Sequence, residues 1–491
     1  MEIMKNIMIT LLFPLFIVLM SSCQKWLKIT PTDQFSASEL FINKEGYLKA
    51  LNGIYVDMTA SRSYGNALSV GAIDVLAHYY HINSSTHNYY DVANHIYTDS
   101  TSIRIFDGIW TSSYKMIADA NVLLEKTPNS PGTVLPQPYH AIVKGEALAL
   151  RAFLHFDILR LFGSVWTADK ITAPALPYAL NSGTDLHPLL SPQDYLDQVI
   201  KDLEEASRLL ADDPIRTSGV RHQENPAGDN SLYFRQYRLN YYAVQALLCR
   251  AYQWKQDREK TYSLAKELLT EINPGPNSKF PFVSNANATH NTLKDRLFST
   301  EVIFSLYTNN RNNLFNTTFS SMLPKVQKLT FNLDNSDYSR VRELYDDEND
   351  YREDIWQLRT DNSITSLTCT KFESIANAPG QFMMPLIRLS EIILMLAESS
   401  PLQAEGVEYL NTIRRNRNAV NLNPTDRNAL LQFISREFRK EVIGEGQQFY
   451  YYKRTQQTNL PRIDRLTGTV SMFLQNYVVP LPDSEIAVRS N

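Results

Sequence analysis

Cysteine is nearly absent from this 491-residue chain: there are three copies, none in a C-x-x-C pair. That excludes a disulfide framework and a cysteine-based zinc or redox centre, since both need several thiols at close spacing. Glycine is scarce, with 17 residues, and neither a phosphate-cradling Gly-rich loop nor a G-x-S-x-G elbow occurs. Long hydrophobic runs are confined to the first twenty or so residues. Past them no window approaches 18 apolar residues, so nothing there reads as a membrane span. An excess of positive charge is missing too: 48 Lys and Arg against 52 Asp and Glu leave a net charge of −4, which gives no support to nucleic-acid binding. What is abundant is tyrosine, 27 copies against 22 phenylalanines. A large apolar ring with a polar handle suits carbohydrate or peptide contact, and it suits helix packing equally.

The apolar run from Ile7 to Met20 follows Lys5 and ends at two serines. This is the layout of an export signal, and it is too short for a comfortable span. Met20-Ser21-Ser22-Cys23 resembles the bacterial lipoprotein box, with Met20 where Leu is usual; in that box the cysteine is acylated and becomes the first mature residue. Each buried methylene contributes ~0.8 kcal/mol, so several acyl chains tether a protein durably. The expectation is a signal peptide over 1–22, lipidation at Cys23, and an anchored chain from 23 onward whose net charge is still −4, because Glu2 and Lys5 cancel.

Helical patterns recur, and they come in pairs. From Leu239 the apolar or small positions are 239, 242, 243, 246, 247 and 251, one stripe of a helical period. The chain turns at Gln256-Asp257 and restarts with Tyr262, Ala265, Leu268, Leu269 and Ile272. A later pair begins in "PLIRLSEIILMLAESS" and resumes after Pro401 with Val407, Leu410 and Ile413 on one side. These resemble tetratricopeptide-type helix hairpins, in which small residues let paired helices approach closely. "KGEALALRAFLHFDILRLFG" is apolar on most faces and predicts a helix sandwiched between others. Ser191-Pro192-Gln193-Asp194 reads as an N-cap, a first-turn proline and an acidic N3 residue, opening a helix with Tyr195, Val199, Leu203, Ala206 and Leu210 on its stripe. "MIADANVLLEKT" predicts one more, stopped before Pro128, with Trp110 and Tyr114 preceding it as core. Cys249, inside a helical stripe, reads as a small core residue.

Between the two later pairs the pattern changes. Glu301 to Tyr307 is strand-like and lies among loops rich in Asn, Thr and Ser. The expected fold is therefore mainly α: a framework of tetratricopeptide-like hairpins carrying an irregular, loop-rich insertion and few short strands. Loops on a rigid frame are where binding sits, and two segments offer contacts. "HYYHINSSTHNYYDVANH" sets His78, His81, His87 and His95 among Tyr79, Tyr80, Tyr89 and Tyr90. Without H-E-x-x-H or a nearby cysteine no metal site is assigned. Two arrangements fit: tyrosines packed under a loop, or a platform whose flat rings cover the C–H faces of sugars while His and Asn bond hydroxyls. "YTNNRNNLFNTTF" offers Asn309, Asn310, Arg311, Phe315 and Phe319, with amides that both donate and accept; a solvated turn is its other reading. The ligand-contact candidates are Tyr79, Tyr80, His81, Tyr89, Tyr90, Asn309, Asn310, Arg311, Phe315 and Phe319. "YDDENDYREDIW" is rich in carboxylates, which in a well-spaced pair can hydrolyse glycosides. The run reads as a solvated loop, and no catalytic residue is assigned. Arg388 and Glu391 are i,i+3 neighbours and read as an ion pair.

Eight segments taken together resemble one family. In chain order they are Cys23 with "WLKITPTDQFS", "YKMIADANVLLE", "KGEALALRAFLHFDILRLFG", "YLDQVIKDLEEASRLL", "IRLSEIILMLAES", "LNTIRRNRN", "REFRKEVIGEGQQFYYYKR" and "VVPLPDSEI". They resemble the SusD/RagB family, surface lipoproteins of Bacteroidetes. Gln448 and Tyr451 depart from it, standing where Arg and Asp are more usual, which suggests a subgroup. The resemblance implies four helix hairpins with an irregular region packed on them. It implies one SusD-like domain over 23–491, with an N-terminal part to about residue 225 and a C-terminal part from about 300. It further implies a non-enzymatic, cofactor-free role at the outer face of the outer membrane: capture of a nutrient oligomer, usually a glycan, as a lid over a SusC-like TonB-dependent transporter. Early aromatics often join the ligand surface in that family, and some relatives take peptides. A surface glycosidase and a helical-repeat protein adaptor are the competing classes.

Overall fold

The computed structural model describes residues 40–272, 275, 278–333, 337–361 and 364–489. The signal segment and Cys23 lie outside the described residues. Ten helices carry the framework: α1 (Lys44–Met58), α2 (Ser100–Lys126), α3 (Tyr139–Phe162), α4 (Pro192–Leu209), α5 (Tyr241–Trp254), α6 (Arg258–Ile272), α7 (Leu389–Ser399), α8 (Gln403–Arg415), α9 (Arg427–Glu441) and α10 (Gln448–Thr455). Each of the first eight packs chiefly on its neighbours in sequence, α1 on α2, α2 on α3 and so on to α8, with α9 closing on α7 and α8. That nearest-neighbour order gives four successive hairpins, the arrangement of a helical solenoid.

The local signals act where the residues placed them. Ser191 Oγ accepts from Asp194 N at 3.1 Å and donates to the Asp194 carboxylate at 2.6 Å, starting α4 behind Pro192. Its predicted stripe, Tyr195 to Leu210, is buried throughout. Almost every residue of α3 is buried, as its all-round apolarity predicts. Gly145 lets α4 approach, since a Cβ there would lie 2.8 Å from Leu210 Cγ. Cys249 and Cys369 are both buried, free thiols.

Two element boundaries differ from the sequence expectation. Helix α2 begins at Ser100, so Trp110 and Tyr114 lie inside it and not before it. Trp110 is buried and packs edge-on against Phe162. "PLIRLSEI" does not open a helix at once: β4 (Met383–Arg388) comes first, and α7 starts at Leu389. The strand wins because its partner, β1 (Val302–Tyr307), pairs antiparallel with it, Leu306 opposite Met384 and Tyr307 opposite Met383. The remaining strands are short, including the hairpin of β2 (Trp356–Asp361) and β3 (Ile364–Cys369). No helix among the described residues is long and apolar enough to cross a membrane.

The insertion is bolted to the helices by buried charge. Arg417 meets Glu301 at 2.6 Å and Glu441 at 2.8 Å; Arg388 meets Glu441 at 2.8 Å and Glu445 at 2.8 Å. Arg352 bonds Asp350, Glu437 and Glu441, and Arg414 bonds Glu437 at 3.0 Å. Opposed guanidinium groups hold the Glu441 carboxyl well below its usual range, against the burial that alone would raise it. Two sequence readings are corrected here. Arg388 does not pair with Glu391, which binds Arg250 at 2.7 Å instead, because Arg388 belongs to the strand and points into the network. The acid-rich run is not a solvated loop along its length: Asp350 is buried against Arg352, and Asp346 bonds Lys440 and Arg414. Glu441→Gln is expected to cost about 3–5 kcal/mol, since it leaves three buried guanidinium groups short of an acid. Breaking the exposed pair Arg415–Glu408 is expected to cost less than about 1 kcal/mol. Urea unfolding of both variants measures the contrast, and equal losses would refute it.

Candidate functional site

The structure divides the predicted contact residues into core and surface. Tyr79, Tyr80, His81 and Phe319 are buried. The Tyr79 hydroxyl donates to Arg439 O at 2.6 Å and that of Tyr80 to Val70 O at 3.0 Å, while Phe319 lies between the rings of Tyr80 and Phe372. His81 Nδ1 accepts from Leu333 N at 3.2 Å. Tyr79 ties the segment to α9, Tyr80 ties it to Val70 and packs on Phe319, and His81 ties it to the insertion; all four are buried and present no face to a ligand. A run of alternating aromatics is compatible with either role, and burial decides for packing.

Of the others, Asn310 and Arg311 line one cleft and Tyr90 a second, while Tyr89, Asn309 and Phe315 line neither. The first lies between residues 59–66 and 306–317, and its walls include Asn66, Thr308, Asn310, Arg311, Asn313 and Thr317. Of the two predicted segments only 307–319 lines this cleft; Tyr89 of the other stands behind it, against Asn66. The Tyr89 hydroxyl donates to Asn66 Oδ1 at 3.3 Å, and Asn66 Nδ2 donates to Thr318 Oγ1 at 3.2 Å. Asn309 and Asn310 are exposed, Phe315 is half-buried, and Arg311 is buried at the first turn of the short helix Arg311–Thr318. The cleft measures ≈ 110 Å³, which is room for the edge or one substituent of a sugar and not for an oligomer.

Beside it runs a ladder of rings that sequence reasoning missed. Tyr307 is 52% exposed and lies 5.4 Å from the Tyr237 ring and 5.2 Å from the Phe382 ring. Thr308 N donates to Phe382 O at 2.8 Å, which fixes the ladder to a cleft-lining residue. The three aromatics come from separate segments, so only the exposed position of Tyr307 at the end of a strand could have signalled them.

Tyr90 lines the second cleft, of ≈ 350 Å³, together with His78, Asn94, His95, Arg462 and Phe473. Phe473 is 66% exposed. His78 and His95 both adopt left-handed backbone, φ 58° and 57°, with ring centroids 5.2 Å apart. His78 Nδ1 faces Pro461 O at 2.7 Å and Nε2 faces Ala93 O at 3.0 Å. Neutral imidazole donates from one nitrogen only, so one of those carbonyls goes unmatched. In the core, His155 lies stacked on Tyr178 at 3.8 Å; Nε2 accepts from Ala179 N at 3.0 Å and Nδ1 donates to Arg151 O at 2.8 Å.

Desolvation lowers the pKa values of His78, His95 and His155 from 6.5 to about 4, 3 and 3. A folded value below the unfolded one means that the unfolded chain binds protons first. The stability these groups contribute is therefore complete above pH 6.5 and declines as the pH falls toward 4. The expected outcome is a urea midpoint that is level at neutral pH and drops steadily below about pH 6.5, by up to about 1.4 kcal/mol per pH unit per histidine. His155→Gln is expected to make that slope shallower. A midpoint unmoved down to pH 4 would count against buried neutral imidazoles.

Comparison with known proteins fits this architecture. A SusD-like family model described as "Starch-binding associating with outer membrane" matches residues 25–227. A SusD-like protein of Formosa agariphila is 28% identical over 210 residues, 42% of this chain and 38% of that protein, so the match spans about two fifths of the relative's length. Among solved structures, a SusD-like carbohydrate binding protein from Bacteroides vulgatus superposes with a TM-score of 0.66 at 20% identity, covering 92% of this chain and 97% of the other. Surface glycan-binding protein A from Bacteroides thetaiotaomicron also gives 0.66, at 16% identity, over 92% and 98%.

Proposed function

We propose that this chain is a member of the SusD/RagB family, a surface lipoprotein that binds a nutrient glycan and passes it to a TonB-dependent outer-membrane transporter. In this reading residues 23–491 form one domain, and acyl chains on Cys23 hold it outward-facing at the outer membrane beside its transporter. The observation that carries the reading is the first cleft and its ladder. Flat, exposed rings cover the apolar faces of sugar units, and adjacent hydroxyls and amides match the mixed donor and acceptor capacity of sugar hydroxyls. Tyr307 ends a paired strand and Phe382 precedes its partner, and the far end of that pair is anchored in the buried ion network, so the surface is preorganised before ligand arrives and little order is lost on binding.

The contacts we assign are Tyr237, Tyr307, Phe382, Asn310 and Arg311, with Tyr90 and Phe473 at the second cleft. The role is binding without turnover. Transfer is then a matter of differential contacts in open and closed states of the lid, not of bond chemistry.

Two measurements test this. A C-terminally tagged chain, solubilised from outer membranes in detergent, is expected to bring down a large β-barrel in stoichiometric amount and to carry acyl chains at Cys23. An acylated, surface-exposed chain that comes down alone sinks the transport half. Affinity electrophoresis against a panel of polysaccharides is expected to find binding with no product released. Tyr307→Ala and Phe382→Ala are each expected to weaken it roughly tenfold. Tyr79→Phe is expected to leave affinity unchanged and to lower stability by about 1 kcal/mol. Equal effects at Tyr79 and Tyr307 would overturn the assignment of the ladder.

A further inference from the structure

We infer that the first cleft selects an acidic glycan, whose carboxylate or sulfate ester enters the cleft and pairs with Arg311. The inference rests on the glycan-capture reading above and names the ligand class for that same surface.

Arg311 is 4% exposed. Its Nη1 donates to the carbonyls of Gly380 and Met383, its Nε has no hydrogen-bond partner, and no ion pair reaches it among the described residues. The other buried arginines of the described structure follow a different rule. Arg151 binds Asp202, Arg160 binds Asp157, Arg235 binds Glu146 and Asp213, and Arg250 binds Glu391. Arg352, Arg388, Arg414 and Arg417 share the acids of the network. Arg340 is the other exception; it bonds the backbone carbonyls of His78 and Arg462 and lines neither cleft. This fold therefore matches a buried guanidinium with an acid, as the desolvation penalty demands. At Arg311 the acid is missing at the point where a cleft opens.

The rest of the cleft agrees. Its walls carry hydroxyls, amides and apolar groups, and no carboxylate. Burial lowers the Arg311 pKa to about 10, which leaves it cationic at neutral pH. A volume of ≈ 110 Å³ takes a charged substituent while the sugar chain stays on the rings outside. The guanidinium offers forked donors that fit either a carboxylate or a sulfate. The cleft thus reads the substituent, and the ladder reads the polymer.

The test uses the full chain in detergent against neutral polysaccharides (starch, galactomannan), uronate polymers (polygalacturonate, alginate) and sulfated ones (carrageenan, dextran sulfate). Poly-glutamate serves as a sugar-free polyanion. Binding to an acidic glycan is expected, the uronate and sulfate arms telling which anion is taken, with neutral glycans and poly-glutamate far weaker. Arg311→Gln is expected to weaken it about thirtyfold, with the unfolding midpoint measured alongside. Asn313→Asp, at an exposed position, puts a carboxylate on the wall of the cleft that Arg311 also lines and is expected to weaken binding of an anion there similarly. Neutral glycans bound as tightly as acidic ones, poly-glutamate bound equally, or an unchanged affinity in Asn313→Asp would each overturn the inference while glycan capture stands. A folded wild-type chain that binds no glycan of any class overturns the capture reading and the inference with it.

Discussion

Everything outside the helices depends on one cluster of buried charge. Glu301, Asp350, Glu437, Glu441 and Glu445 face Arg352, Arg388, Arg414 and Arg417, and all nine side chains are buried. In that environment a carboxylate shared by several guanidinium groups is held strongly, and an unshared one would be very unfavourable. The members come from the start of β1, the end of β4, the insertion and the last hairpins. The network can form only when all of these segments have arrived, so it couples the insertion to the solenoid as one unit. The turn that follows α9 is shaped to the same end. Gly446 sits at φ 65° where a Cβ would come within 2.0 Å of Leu68 O, and the N–H groups of Gly444 and Gly446 donate to the buried carboxyl of Asp74.

The proposed binding surface inherits its rigidity from that anchor. Strand β1 runs from Val302, next to Glu301 in the network, to Tyr307 in the ladder, and its partner β4 runs from Met383, next to Phe382 of the ladder, back to Arg388 in the network. A short two-stranded ribbon with buried charge at one end and exposed rings at the other is a stiff support. Solenoid neighbours hold it from beneath, since Gln236, next to Tyr237, donates to Val302 O at 2.6 Å. The site needs no moving part within the chain to present its rings.

Much of the fold was legible because it rests on local periodicity. The stripes at 195–210 and 239–251 are the buried faces of α4 and α5, Ala265, Leu268 and Ile272 are buried in α6 with Tyr262 and Leu269 half-buried at the edge of that face, and the cap at Ser191 starts its helix as its residue types dictate. Misreadings cluster where a distant partner outweighs the local pattern. Pro385 to Arg388 continue a helical stripe on paper, yet they pair with β1. Arg388 stands three residues before Glu391, but a strand places it toward acids more than fifty residues on. The acids at 346 and 350 look solvated in a run of polar residues until Arg352, Arg414 and Lys440 converge on them.

The candidate site divides along the same line. Composition and residue type marked two segments, 78–95 and 307–319, as candidates for ligand contact, and the second places Asn310 and Arg311 on a cleft wall. They could not separate Tyr79 and Tyr80, which are core, from Tyr90, which lines a cleft, because loop segments lack a period that would assign faces. Nor could they assemble Tyr237, Tyr307 and Phe382, which meet only through the register of β1 on β4. The amino-acid sequence by itself determined the helical framework and its cores, since burial of a periodic stripe is a local consequence of residue order. Only the tertiary structure decided which aromatics face outward and which cation lacks an acid, since both depend on pairings between residues far apart in the chain.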